Sequence, residues 1–202
     1  MFESGSIAAP LIMILTIGIS LMGLFQSPRI IDMCLFRPYE FLAKRQYDTM
    51  ILSGFVHADV GHLLFNMFTF YFFAFPMERF IGTVAFLILY FFGLVVSHTC
   101  TWYKQRNNPG YASLGASGAI SAVLFAYIVY FPTTTLMIIP IPVPIPAFLF
   151  AIGYVAYSYW ASTQNTGRIN HDAHLCGAVS GLVFVAVTDP GAFTRLFAFS
   201  PT

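Results

Sequence analysis

The chain has 202 residues, of which 58% are hydrophobic and 8% charged, with a formal net charge of +1. Soluble domains are nearer about 25% charged, so a mean hydropathy of +0.77 leaves too little polar surface for a water-soluble globule. The chain reads as an integral membrane protein, and its near-zero charge excludes the basic field that nucleic acid requires.

In chain order, six segments approach the roughly 20 apolar residues that a bilayer-spanning helix needs. The first, 7–25, has no basic residue ahead of it (only Glu3) and no Ala-x-Ala cleavage site, so it reads as a retained helix and not a signal peptide. A long stretch, 26–59, follows. It mixes Arg29, Asp32, Arg37, Glu40, Lys44, Arg45 and Asp48 with Phe36, Tyr39, Phe41, Leu42 and Tyr47. It has no clean 3.6 period, and its aromatic content argues for a seat at the membrane interface over disorder. The remaining spans are expected at about 60–76, 83–102, 113–131, 146–160 and 173–188. The last two are short and make sense only inside a bundle. Between the fourth and fifth, Pro140, Pro142, Pro144 and Pro146 alternate with Ile141, Val143 and Ile145. Such a run can be neither a helix interior nor a paired central strand, and is expected to be an extended apolar linker skimming the lipid surface. No internal repeat is present, and 1–202 reads as a single membrane domain.

Cys34, Cys100 and Cys176 are odd in number, lie in separate segments and form no CxxC pair, so neither a disulfide framework nor a zinc site is implied. Six spans put both termini on one side, with Arg79 and Arg195. Arg29, Arg37, Lys44, Arg45, Lys104, Arg106 and Arg168 collect on the other. Charge counting then places the termini outside.

Two polar residues sit at the heads of apolar runs. Ser117 lies in Gly115-Ala116-Ser117-Gly118 and His174 in Ala173-His174-Leu175-Cys176-Gly177. Polar and ionisable groups at membrane depth are costly, and function is the default reading of them. Small residues around Ser117 let a substrate backbone approach its hydroxyl, and a helix starting there presents free N–H groups to a developing oxyanion. The alternative is that Gly115, Gly118 and Ala122 form a packing face, with Ser117 bonded to its own helix. His174 is followed by Gly177 and Gly181, a spacing that permits close helix approach, so an imidazole could reach the hydroxyl and act as its base. Asp172 cannot share His174's helix face, so a Ser–His dyad is expected and not a triad. His62 and Asn66 are four apart on one helix face and are suitable oxyanion donors; the bland alternative is a polar pair joining helices. His171 and His174 have a spacing that could ligate a metal, but no further ligand supports it. No metal and no cofactor are expected.

Taken together, the motifs resemble those of the rhomboid family of intramembrane serine proteases. The matching pieces are His62-Leu-Leu-Phe-Asn66-Met, Glu78-Arg79-Phe-Ile-Gly82, Gly115-Ala-Ser117-Gly118 and Ala173-His174-Leu-Cys-Gly177-Ala-Val-Ser-Gly181, spread over about 47–188. The resemblance implies an all-α membrane protein, a six-transmembrane-helix rhomboid-like bundle. It also implies Ser117 as nucleophile and His174 as general base, with an oxyanion and substrate-binding region at His62, Asn66, Gly115 and the Ser117 N–H. Glu78 and Arg79 look structural. Two departures stand out. Tyr47-Asp48 occupies the place of a common Trp-Arg pair, for which altered stability is expected. Ser121 stands four after the nucleophile, where an aromatic residue often stacks on the histidine, so a different group must orient His174.

The resemblance implies a protease acting in or near transmembrane segments of membrane-protein substrates, within the lipid bilayer and without a nucleic-acid partner. The fifth span would be the gate, with Phe148 and Phe150 as its bulky residues, and the loop before the sixth span a lid. The competing reading is a catalytically silent binder of transmembrane clients. A small transporter ranks last, because inverted repeats and intramembrane carboxylates are missing. The expected location is the cytoplasmic membrane of a prokaryote, with the orientation implied by the resemblance opposed by the charge count.

Overall fold

The computed structural model describes residues 5–138, 141–164 and 170–197. Nine helices occur among them: α1 (Ala8–Phe25), α2 (Pro28–Cys34), α3 (Thr49–Leu52), α4 (Val60–Ile81), α5 (Thr83–Gln105), α6 (Ser117–Tyr130), α7 (Ala147–Gln164), α8 (His171–Thr188) and α9 (Gly191–Phe197). A 3-10 turn at Ser53–Phe55 follows α3, and a two-stranded hairpin, β1 (Thr135–Ile138) and β2 (Ile141–Pro146), precedes α7. Among the described residues α1, α4, α5 and α8 are long and apolar enough to cross a membrane. The protein is a mainly helical membrane bundle.

Its centre is α6. Eleven of the fourteen residues of this helix are buried, as expected of a helix that is apolar all round and enclosed by others. Small residues let its neighbours come close. A Cβ built at Gly177 of α8 would collide with the Gly118 carbonyl oxygen, one at Gly181 with the Ala122 carbonyl oxygen, and one at Gly93 of α5 with the Ala122 Cβ. Backbone-to-backbone packing therefore joins α5, α6 and α8, and α6 with α8 forms the most extensive helix pair. The rest of the core is aromatic and aliphatic, with Phe70, Met77, Phe86, Leu89 and Tyr90 almost fully enclosed.

Glu78 ties the ends of α1 and α4 together. Its carboxylate accepts from the backbone N–H groups of Ile7 (2.9 Å), Ala8 (2.8 Å) and Ala9 (2.8 Å) and from the Thr83 hydroxyl (2.8 Å). Orphan donors at the start of α1 thus find an anion at the positive end of the helix dipole. Five residues beyond the expected end at 76, α4 continues through Pro76 to Ile81 and stops at Gly82, whose φ of 84° only glycine adopts freely.

The proline run is paired, in contrast to the expected free linker. β1 and β2 are antiparallel, with Thr135 opposite Pro146 and Met137 opposite Pro144. Successive strand residues direct their N–H groups to opposite edges, so prolines at alternate positions strip one edge of donors and leave the other intact. Neither strand is central, which is the setting in which strand proline is tolerated. Pro140 lies outside the described residues.

The connection 26–59 is ordered. Phe36, fully buried, packs edge-on against Phe41 (5.3 Å between ring centroids) and His98 (4.9 Å), and Phe41 packs in turn on Tyr47 (5.4 Å). Phe36 and Ser113 exchange backbone hydrogen bonds (3.0 and 2.9 Å), which fastens the connection to the segment leading into α6. The cysteines also depart from expectation: Cys100 of α5 and Cys176 of α8 are disulfide-bonded, with Cα atoms 6.5 Å apart, and Cys34 is free.

Candidate active site

Ser117 is the first residue of α6. Just before it, Gly115 adopts a φ of 107° and donates its N–H to the Ser53 carbonyl (2.8 Å), while Ala116 stands at the helix start with no side-chain cap. The chain therefore turns sharply into the helix, and the first-turn N–H groups beside Ser117 have no intrahelical acceptor. The Gly115 position also seats His62: a Cβ there would lie 2.7 Å from His62 Cε1 and 2.9 Å from Nε2. An L residue would be strained by the φ and would also displace the imidazole.

His62 and Asn66 lie one turn apart on α4. Asp59 caps this helix by accepting the His62 N–H (2.8 Å), and the Asn66 amide, itself buried, donates to the His62 carbonyl (3.0 Å). That bond uses one of the two amide N–H bonds and leaves the other. Behind His62 stands His57, with ring centroids 4.8 Å apart and edge-on. His57 is fully buried, its Nδ1 lies 3.0 Å from Ser20 Oγ, and among the described residues its Nε2 has no hydrogen-bond partner. Because the Ser20 hydroxyl donates to the Phe55 carbonyl (3.0 Å), Nδ1 must carry the proton and Nε2 the lone pair. Burial, aided by the nearby His62 and opposed by Asp59, pushes the His57 pKa down to about 3.

His174 sits one turn into α8. Asn170 caps this helix by accepting the Ala173 N–H (3.1 Å), and its amide donates to Thr101 Oγ1 (2.9 Å) and Ser113 Oγ (3.2 Å). One residue thus ties the start of α8 to α5 and to the segment entering α6. The contact of Gly177 with Gly118 sets the register: His174 precedes Gly177 by three residues, and Ser117 immediately precedes Gly118. Both side chains therefore belong to the same end of the α6–α8 seam. Among the described residues no hydrogen bond joins Ser117 Oγ to His174, an arrangement that often tightens only when substrate is bound.

Tyr154 of α7 was not singled out by the sequence. Its ring stacks on His174 (6.2 Å between centroids, 24° between planes), and its hydroxyl lies 2.7 Å from Ser121 Oγ. Ser121 donates to the Ser117 carbonyl (2.9 Å), so the tyrosine hydroxyl must donate to Ser121. One tyrosine among nine aromatic or hydroxyl side chains of AFLFAIGYVAYSYWASTQ carries no local signal. The hint lay in Ser121 itself, which leaves space beside His174 for a ring from elsewhere.

His171 contacts His174 edge-on (5.9 Å). Among the described residues no group of three His, Cys, Asp or Glu side chains could hold a metal. A cavity of ≈ 540 Å³ lined by Cys100, Lys104, Asp172 and Cys176 lies on the other face of α8. Asp172 and Cys176 share that face at i,i+4, while His174 points away from it. Lys104 and Asp172 close an ion pair there (2.8 Å). Of the expected lid, the loop before the sixth span, residues 165–169 lie outside the described residues.

Residues 44–190 match the Rhomboid domain model. The chain is 29% identical over 160 residues to RHOMBOID-like protein 12, mitochondrial, of Arabidopsis thaliana, covering 72% of this chain and 47% of that protein. It is 27% identical over 178 residues to Rhomboid protein 1, mitochondrial, of Saccharomyces cerevisiae (85% and 51%). To the human presenilin-associated rhomboid-like protein, mitochondrial, it is 32% identical over 143 residues (67% and 36%). The chain spans about half or less of the length of these relatives. Their mitochondrial names overturn the expected placement in a prokaryotic cytoplasmic membrane. The helical bundle, with Ser117 opening its central helix and His174 on the helix packed against it, agrees with the domain match: the chain belongs to the rhomboid family.

Proposed function

We propose that the chain is an intramembrane serine endopeptidase that hydrolyses peptide bonds in or near transmembrane segments of membrane-protein substrates, in a mitochondrial membrane. Ser117 is the nucleophile and His174 the general base, without a carboxylate partner. The single observation that carries the reading is the seating of Gly177 on Gly118, which brings the helix bearing His174 against the helix start that bears Ser117.

In the first step the Ser117 hydroxyl proton passes to His174 as Oγ bonds to the scissile carbonyl carbon. The carbonyl π pair moves onto oxygen, where the Ser117 N–H, the His62 ring and the free Asn66 N–H are the donors for the oxyanion. Collapse breaks the C–N bond, and His174 gives its proton to the departing amine. A water, deprotonated by His174, then bonds to the acyl carbon; the ester C–Oγ bond breaks, His174 returns its proton to Ser117 Oγ, and the carboxyl product leaves. Loss of one oxyanion donor typically costs about 10²–10³ in rate. A substrate helix must unwind locally, so small or helix-breaking residues at the cleavage site are favoured.

The second reading, a silent binder of transmembrane clients, is favoured by one observation, the lack of a Ser117–His174 hydrogen bond. Cleavage of a single-span test protein by purified wild type and by Ser117→Ala separates the two. Cleavage abolished by the substitution supports the protease. An inert wild type that still binds the span supports the binder.

A further inference from the structure

We propose that Tyr154 is the positioning residue for His174, and that α7 therefore carries a part of the base's alignment. The inference rests on the protease reading above. Two independent contacts define it. The ring is stacked on the imidazole, and the hydroxyl is anchored through Ser121 to the carbonyl of Ser117, the nucleophile's own residue. One side chain thus touches the base and, through a two-bond relay, the backbone of the nucleophile. Among the described residues no carboxylate orients His174, and the stacked ring restricts the imidazole to one plane in the absence of that third group.

The rest of α7 is placed to make this contact conditional. Tyr157, one turn further on, packs edge-on against His171 (5.5 Å), so Tyr154 and Tyr157 meet His174 and His171 as two matched pairs between α7 and α8. Otherwise α7 is held by a small apolar cluster that includes Phe125, Ala147 and Phe150, and by Lys104 of α5, whose ammonium donates to the Ser162 carbonyl (3.1 Å). Only three residues of the helix are buried. Displacing α7 removes the ring from His174 while leaving the α6–α8 seam, and with it Ser117 and His174, in place. The dyad is then aligned only when α7 is docked, so a helix that moved aside to admit substrate would have to return before acylation.

The test uses the full chain in bilayer vesicles with a single-span test protein, and begins with wild type against Ser117→Ala. An inert wild type removes the protease reading itself, and only with that activity in hand do the remaining variants bear on Tyr154. Tyr154→Ala is expected to lower kcat by about ten- to a hundredfold, the scale of a misplaced catalytic group, with KM little changed. Tyr154→Phe keeps the stack and loses only a few-fold in kcat. Phe148→Ala, which removes a 45% exposed ring of the same helix that packs neither on Tyr154 nor in that cluster, does not lower kcat. If Tyr154→Ala fails to fold, Tyr154→Phe and Ser121→Ala still decide, because they remove one shared hydrogen bond. Equal and non-additive few-fold losses support the relay, and additive losses overturn it. The proposal is also overturned if Tyr154→Ala keeps wild-type kcat, or if Phe148→Ala lowers kcat as much.

Discussion

Gly177 of α8 rests directly on the Gly118 carbonyl of α6, with no room for a methyl group between them. Gly181 repeats the contact one turn later on Ala122, so the seam between the two helices is backbone against backbone. Gly177→Ala would force the helices apart at the point where both candidate catalytic residues sit. Overpacking of this kind costs about 1–3 kcal/mol, and an ångström of displacement costs about a hundredfold in rate. Gly177→Ala is expected to lower both the melting temperature and kcat. Gly153→Ala on α7, where an added Cβ meets nothing within 4 Å, is the control and should leave the melting temperature unchanged or slightly higher. Equal behaviour of the two variants in a thermal melt and a cleavage assay would rule the seam out as the determinant.

Glu78 satisfies three backbone donors and a hydroxyl while 1% exposed. Glu78→Ala leaves those groups buried without an acceptor, at about 1–3 kcal/mol for each neutral donor not rescued by water. Glu78→Gln keeps one acceptor oxygen and should cost less. Both substitutions are expected to act on stability, with kcat/KM of the surviving folded protein within about twofold of wild type, because Glu78 lies at the far end of α4 from His62. A loss of kcat at unchanged melting temperature would contradict this assignment.

The fold class was legible because its signals are local. Apolar runs mark the helices, and polar residues at their heads mark the positions where the chain meets the site. What escaped depends on contacts far apart in sequence. Cys100 and Cys176 are separated by 76 positions and show no spacing motif, yet α5 and α8 bring them together through the glycine seam. Tyr154 is one aromatic side chain in a helix full of them, and its partner Ser121 is 33 positions away. The hairpin escaped because the prolines of β2 argue against pairing until the partner strand is known to need only one of its edges. Ser117, His174, His62 and Asn66 could be named from motif alone, but the relation of Tyr154 to His174 needed coordinates.

The disulfide makes a further prediction. A link that closes a loop of this length stabilises by about 2–4 kcal/mol, chiefly through the unfolded chain. Thiol labelling read by mass spectrometry is expected to find Cys34 reactive and Cys100 and Cys176 protected until reductant is added. Cys100→Ser and Cys176→Ser should each lower the melting temperature by the same amount, and the double variant should add nothing. Additive losses, or three free thiols before reduction, would show the pair to be unlinked.

His57 provides a pH dependence. Its pKa falls to about 3 because burial disfavours the charged ring, whereas an unfolded histidine titrates near 6.5. Between those values the unfolded chain binds a proton that the folded chain does not. Stability therefore rises with pH through this window and is lost as pH falls from about 6.5 toward 3. The proton would enter at Nε2, where no acceptor waits. In His57→Asn, melting temperature should fall less steeply between pH 6.5 and pH 4 than in wild type, although the variant starts lower at pH 7.5 for lack of a fitted ring. Parallel curves would assign the acid sensitivity to another group.

Phe148 and Phe150 are no longer equivalent candidates for a gate. Phe148 is 45% exposed on the outer face of α7, whereas Phe150 packs into the small cluster that holds α7 against α6 and α8 and touches the Tyr154 ring at 5.8 Å. Removing a partly buried phenyl ring from so small an interface weakens docking directly, while the outward ring contributes nothing to it. If lateral displacement of α7 limits substrate entry, Phe150→Ala should raise the rate at subsaturating substrate several-fold, and Phe148→Ala should leave it unchanged. The two effects on α7 oppose one another at saturation, because a helix that opens more readily also withdraws Tyr154 from His174 more often. The gain is therefore expected in kcat/KM and not in kcat. Initial rates measured across a substrate series in vesicles separate these cases. A rise in kcat with unchanged kcat/KM would place the slow step after substrate entry and remove α7 as the entry gate.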